Sequence, residues 1–115
     1  MSPRIDVRTL RRLQDSAGAD FVGELIDTFV EESRGTFADM ERALAAGDAE
    51  LFRRAAHSLK SSARTFGALR LGDLAMELEH LGRANDLGAV SDRLGLAEAE
   101  CAQATTELIR LRDGR

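Results

Sequence analysis

Apolar residues recur at steps of three and four along almost the whole chain, and no sustained period-two alternation interrupts them. That spacing lays one apolar stripe along each of several successive helices. The only proline, Pro3, stands at the extreme N-terminus, so nothing after it forbids helix. Leu and Ala, both strong helix formers, lead the apolar set, and five Phe are the only aromatics. The expected core is therefore Leu, Ala, Ile, Val and Phe.

Caps and glycines punctuate the pattern. A short first helix is expected from about Asp6 to Ser16, with Asp6 as N-cap and Gly18 just past its end. A long second helix starts near Ala19 or Asp20. It carries Val22, Leu25, Ile26, Phe29, Ser33, Thr36, Phe37, Met40 and Leu44 at helical spacing, with Gly35 as a local weak point. Ala45-Ala46-Gly47-Asp48 closes it and opens the third, with Gly47 as stop signal and Asp48 as N-cap. The third helix runs to about Phe66 and is followed by Gly67. The fourth spans about Leu69 to Arg83, with Leu71, Leu74, Ala75, Leu78 and Leu81 as its stripe. After a turn at Asn85-Asp86-Leu87-Gly88, a fifth runs from Val90 or Ser91 to Leu111, along Leu94, Ala97, Cys101, Ala104, Leu108 and Leu111.

Four helices of roughly 15 or more residues joined by short turns predict an all-α, antiparallel up-and-down four-helix bundle with a short extra N-terminal helix. Residues 1–115 suffice for a single such domain. The tail Asp113-Gly114-Arg115 is expected to fray.

Several function classes are excluded early. A formal net charge of −4 makes a poor nucleic-acid binder. No run of roughly 18 apolar residues exists to cross a membrane, and the N-terminus has no apolar signal region. One cysteine, Cys101, permits no internal disulfide and points to a reducing, cytoplasmic setting. Its place on the apolar seam makes it a small core residue. Met1 and the compact ends favour a freestanding protein, and a monomer is expected.

The third helix departs from the acidic average. Roughly 100° of rotation per residue gathers Leu51, Phe52, Ala55, Leu59, Ser62, Ala63 and Phe66 on one side. His57 points away from that side. Arg53, Arg54, Lys60 and Arg64 surround it at i−4, i−3, i+3 and i+7, with Ser58 beside it and Ser61 at i+4. No Asp or Glu lies between Leu51 and Gly67 to offset these cations, and like charges at such spacings repel. An acidic or phosphorylated partner is a natural reason for the stripe. The plainer alternative is a solvated helix face that happens to be basic. Imidazole is a competent nucleophile near neutral pH, and flanking cations can offset charge on an incoming group.

His57-Ser58-Leu59-Lys60-Ser61-Ser62-Ala63 resembles the motif of histidine-containing phosphotransfer (HPt) domains, usually histidine, any residue, then Leu-Lys-Gly-Ser. Phe66-Gly67-Ala68 resembles that family's end of the active helix. Leu71, Leu74, Glu77, Leu78, Glu79, Leu81 and Gly82-Arg83 resemble the helix after it. Phe21, Glu24-Leu25-Ile26, Phe29 and Glu31-Glu32-Ser33 resemble the long helix before it, and Ala45-Ala46-Gly47-Asp48 the intervening turn. The likeness covers nearly the whole chain.

The resemblance implies a phosphorelay intermediate in two-component signalling. His57 would accept a phosphoryl group on its far ring nitrogen from a receiver-domain aspartate and pass it to another receiver. Lys60 would help neutralise the group, and Glu79 stands where the neighbouring helix often orients the histidine. Arg53, Arg54, Ser58, Ser61 and Arg64 would dock the partner. Ser61 replaces the commoner glycine, and both are small. The implied partners are the receiver domains of a hybrid sensor histidine kinase and of a response regulator. No cofactor or metal is implied on this chain, because the receiver supplies the divalent ion. The protein would be a stoichiometric carrier without kinase activity.

Three rivals fail on the residues. A di-iron bundle needs repeated Glu-x-x-His pairs, and Glu77-Leu78-Glu79-His80 has no second copy. A histidine kinase needs a nucleotide-binding domain for which there is no length. A hydrolase cannot pair Ser58 with His57, since neighbours on a helix do not face each other. The remaining alternative is a non-catalytic helical adaptor that binds a receiver domain or other acidic partner through the same basic face. The intact His57 and Lys60 favour transfer.

Overall fold

The computed structural model describes residues 4–114. The expectations for the N-terminal signal region at residues 1–3 and for the end at Arg115 lie outside them. Five α-helices follow one another: α1 (Val7–Ala17), α2 (Ala19–Ala46), α3 (Ala49–Thr65), α4 (Leu69–Arg83) and α5 (Ser91–Arg112), with a 3-10 turn at Leu87–Ala89. No strand occurs among the described residues. The bounds fall within a residue or so of those expected from the sequence.

The caps explain why. Asp6 accepts the Arg8 N–H at 3.2 Å, and Asp48 Oδ1 accepts the Leu51 N–H at 3.0 Å. Three helix ends close in one way. Gly47, Gly67 and Asn85 adopt left-handed φ of 66°, 79° and 56°. The next N–H then returns to a carbonyl five residues back, Asp48 to Ala43, Ala68 to Ala63 and Asp86 to Leu81, at 2.8 to 2.9 Å. The first two reversals take two and three residues and the third takes seven, including the 3-10 turn, so successive helices lie antiparallel. α2 runs unbroken through Gly35. At 1.5 Å per residue its 28 residues span about 42 Å, the longest dimension of the molecule.

The inner faces of α2 to α5 meet around Ile26, Met40, Phe52, Leu59, Leu71, Leu78 and Leu108, all essentially inaccessible. Burying each such side chain stabilises by roughly 1.5–3 kcal/mol. Ile5 and Leu10 close one end of this core. The Asp6 N–H donates to Gly67 O at 2.7 Å, so the start of α1 sits on the α3–α4 turn. A Cβ on Gly67 would lie 2.7 Å from the Asp6 carbonyl oxygen, so this turn needs glycine for space as well as for φ.

The long seams differ. α3 and α4 approach closely: a Cβ on Gly82 would fall 3.0 Å from Arg53 Cα and 3.1 Å from Arg53 N. Ala56 and Ala63 on α3, and Gly72 and Ala75 on α4, are buried small residues of the same pair. α2 and α5 leave an open groove of about 530 Å³, lined by Val30, Phe37, Ala38, Cys101, Ala102 and Thr105 among others. Cys101 is 7% exposed, and burial pushes its thiol up, as suits a small core residue.

Ala56, absent from the core side expected for α3, is fully buried. α5 ends at Arg112 and Asp113 caps it: its N–H donates to the Ile109 carbonyl and its carboxylate accepts Arg112 Nε, both at 3.0 Å. Among the described residues no helix is long and apolar enough to cross a membrane.

Candidate functional site

Asp48 starts α3 and the Gly67 turn stops it, which sets the rotation of His57 relative to α4. The imidazole side chain is 56% exposed. It leans toward α4 rather than straight outward, because Nδ1 lies 2.7 Å from Glu79 Oε2. A carboxylate only accepts, so Nδ1 carries the proton and the neutral ring keeps its lone pair on Nε2. Nε2 makes no hydrogen bond with the described residues.

Glu79 is the pivot. It is 2% exposed, yet charged. Burial alone would raise its pKa. Hydrogen bonds from Lys60 and His57, and their charges, outweigh burial and hold it at about 2. Oε1 accepts from Lys60 Nζ at 2.6 Å. Oε2 receives both His57 Nδ1 and Arg83 Nη2, the latter at 3.3 Å. A buried carboxylate is tolerable only when it is paired in this way.

The structure therefore brings His57, Lys60 and Glu79 together across the α3–α4 seam. Lys60, expected on the outer stripe, turns inward, and only 19% of its side chain is exposed. The stripe is also less bare of acids than it reads. Glu50, one residue before Leu51, takes Arg53 through two bonds of 3.0 and 2.6 Å and approaches Arg54 at 3.9 Å. This corrects the expectation of uncompensated cations, because the compensating carboxylates come from the first turn of α3 and from α4. Arg64 lays its stem against Gly72 and points Nη2 at Met76 Sδ, 3.6 Å away. Ser58 and Ser61 are exposed on the same stretch of α3 as the histidine.

Sequence reasoning passed over Glu50, and it named Gly82 and Arg83 only as part of the family resemblance, with no role for either. Glu50 stands three residues before Arg53 and four before Arg54, and Arg83 stands four after Glu79. These are ordinary helical pairing distances and were available signals. Nothing local marks Gly82 as the point where another backbone passes. Among the described residues no group of three or more His, Cys, Asp or Glu side chains is placed to hold a metal ion.

An exposed, oriented imidazole backed by a buried carboxylate and a lysine can attack an electrophile and carry the charge that results. Comparison with known proteins points the same way. No curated protein sequence matches significantly. The chain superposes on the crystal structure of histidine-containing phosphotransfer protein B (HptB) from Pseudomonas aeruginosa PAO1 with a TM-score of 0.91 and 31% identity, over 100% of this chain and 99% of that one. The model of the Hpt domain family matches residues 24–114, a span that holds α3, α4 and every side chain of the site. The chain belongs to the Hpt domain family and serves histidine phosphotransfer in a two-component phosphorelay.

Proposed function

We propose that His57 is the phosphoacceptor, taking a phosphoryl group from the aspartate of one receiver domain and passing it to the aspartate of another. The observation that carries this reading is the 2.7 Å contact between His57 Nδ1 and the buried, ionised Glu79. The Nε2 lone pair attacks phosphorus as the bond from phosphorus to the aspartyl oxygen breaks. The aspartate leaves as a carboxylate, and the ring becomes a cation bearing phosphorus on Nε2 and a proton on Nδ1. Glu79 faces that cation and stabilises it. No proton has to move, so the reverse step, attack by a second receiver's carboxylate, needs only docking and alignment. A histidine without its carboxylate would hold the ring charge unsupported.

Lys60 offsets negative charge on the transferred group. Ser58 and Ser61 leave room for the receiver, and Arg53, Arg54 and Arg64 form a basic rim for its acidic surface. In this reading the divalent cation belongs to the receiver's own acidic cluster, and this chain uses no cofactor. The donor is the receiver of a hybrid sensor kinase, and the final acceptor is a response regulator.

Incubation with phosphorylated receiver domains should place acid-labile, base-stable phosphate on the protein. His57→Gln should abolish the label and leave helicity, read by circular dichroism, unchanged. Labelling that survives the substitution sinks the reading. Binding to every cognate receiver without any label would favour the adaptor instead.

A further inference from the structure

The groove between α2 and α5 lies on the side of the bundle away from the α3–α4 seam, because the four long helices close a ring in the order α2, α3, α4, α5. Its volume of about 530 Å³ leaves room for several side chains. Val30 and Phe37 on its α2 wall are only half-buried, and Ala38 and, on the α5 wall, Ala102 are exposed. Three charges edge this apolar surface: Arg34 and Glu41 from α2 and Glu98 from α5. All three are exposed, and none makes an ion pair with a described residue. Arg34 does not turn to Glu31, the one carboxylate at pairing distance along its helix. Glu41 and Glu98 have no cation three or four residues away, and Arg42, beside Glu41, is held by Asp39.

Arg34 and Glu41 are seven residues apart, two helical turns, so they stand on one face about 10.5 Å apart along the helix. Their midpoint falls between Phe37 and Ala38. A two-fold axis through that point, perpendicular to α2, sets a second α2 antiparallel to the first. Arg34 of each copy then faces Glu41 of the other, so one operation makes two ion pairs. Opposite charges at equal distances on either side of an apolar centre are what an isologous contact requires, and an unrelated partner requires no such symmetry. The same operation brings Ala38 against its own counterpart, where a small side chain lets two helices approach, and lays each α2 along the groove of the other copy. The strip from Val30 to Ala45 is about 24 Å long and two helices wide, so each copy covers roughly 500 Å² of the other. About 1,000 Å² in all is the low end for a specific interface, which means a weak and reversible pair.

We infer that the α2–α5 groove is a self-association surface, occupied by α2 of a second copy of this chain related by a two-fold axis between Phe37 and Ala38. The contact uses only α2 and α5, and it stands whether or not His57 is the phosphoacceptor. The α3–α4 seam of each copy faces away from it, so a receiver can dock on either copy while the pair holds. A weak pair then replaces the monomer expected from the sequence.

Sedimentation equilibrium of the whole chain, from about 1 μM to about 1 mM, should show the mass rising from one chain to two. Arg34→Glu puts two like-charged contacts in place of two ion pairs, and so does Glu41→Arg. Each should weaken association about tenfold or more. The double variant, Arg34→Glu with Glu41→Arg, restores opposite charges in exchanged positions and should associate within about threefold of the parent. Ala38→Lys sets two cations together on the axis and should leave a single chain at every concentration. These positions are exposed on α2, so circular dichroism should show parental helicity in every variant. Recovery in the double variant cannot come from a loss of folding in the single ones. A mass of one chain throughout overturns the inference and leaves the groove to a different protein. A dimer indifferent to Arg34→Glu and Glu41→Arg, or a double variant no better than the single ones, also overturns it, because the copies then meet elsewhere.

Discussion

The α3–α4 seam and the α2–α5 seam solve opposite problems. On the first, Gly82 lets the Arg53 backbone pass where a Cβ would be 3.0 Å away, and buried Ala56, Ala63, Gly72 and Ala75 keep the pair slim. On the second, α2 and α5 stand far enough apart to leave a groove of about 530 Å³. The histidine and its carboxylate lie on different helices, and both belong to the tight seam. A contact of 2.7 Å between α3 and α4 survives only if the helices cannot slide or splay. Close backbone packing supplies that rigidity, since interiors resist small displacements. The α2–α5 seam carries the ion pair of Arg112 with the exposed Asp27, but no buried carboxylate is held across it among the described residues, and it can be looser. The comparison teaches that the small residues of α4 serve the chemistry as much as the fold.

Acid offers the strongest way to break this contrast. Glu79 has a lower pKa in the folded chain, about 2, than the 4.5 of an unperturbed glutamate. Between those values the unfolded chain binds more protons, so its population grows as pH falls. Stability held by Glu79 is fully present above about pH 4.5 and is lost as pH drops through the folded value. The shift corresponds to roughly 3 kcal/mol. Urea unfolding at stepped pH should show this loss in the parent protein and much less of it in Glu79→Gln. Equal slopes for the two proteins would refute the role given to the tight seam's carboxylate.

Gly82→Ala should come next. Its Cβ meets backbone at Arg53, which cannot rotate away, so α3 and α4 must separate. A loss of about 1–3 kcal/mol is expected, with slower phosphoryl transfer because Glu79 recedes from His57. A variant as stable and as fast as the parent would show that the seam has slack.

The smallest effect belongs to the other seam. Ala102 lines the α2–α5 groove and is exposed, so Ala102→Leu should change stability by about 0.5 kcal/mol or less and leave transfer intact. A large loss of either would show the two seams to be coupled.

Helix bounds were legible because their causes are local. Asp6 and Asp48 cap the helices they precede, and Gly47 and Gly67 end the helices before them, each within a few residues of chain. Leu71 and Leu78 lie on one stripe because the helical period puts them there, and the structure buries both. The wheel also set His57 on the exposed side of α3. It did not bring out Ala56, because a wheel shows only the core of its own helix and not the second flank covered by α4. The same blindness hid the carboxylate that takes Lys60, which sits on α4, whereas Glu50 lies on α3 itself, just before Leu51. The family resemblance did place Glu79 near the histidine. It said nothing of the depth of its burial, and it gave Arg83 as a matching position without a role.

Taken alone, the sequence determined that the chain would be helical, where each helix begins and ends, and that one histidine would sit amid cations on an exposed face. Those properties depend on period and capping, which act over a few residues. Only the tertiary structure decided that Lys60 turns inward and that one buried carboxylate gathers Lys60, His57 and Arg83. Those outcomes depend on how closely α3 and α4 approach and how each is rotated about its own axis. That approach is set by contacts such as Gly82 against Arg53, between residues far apart in the chain, and no local period encodes them.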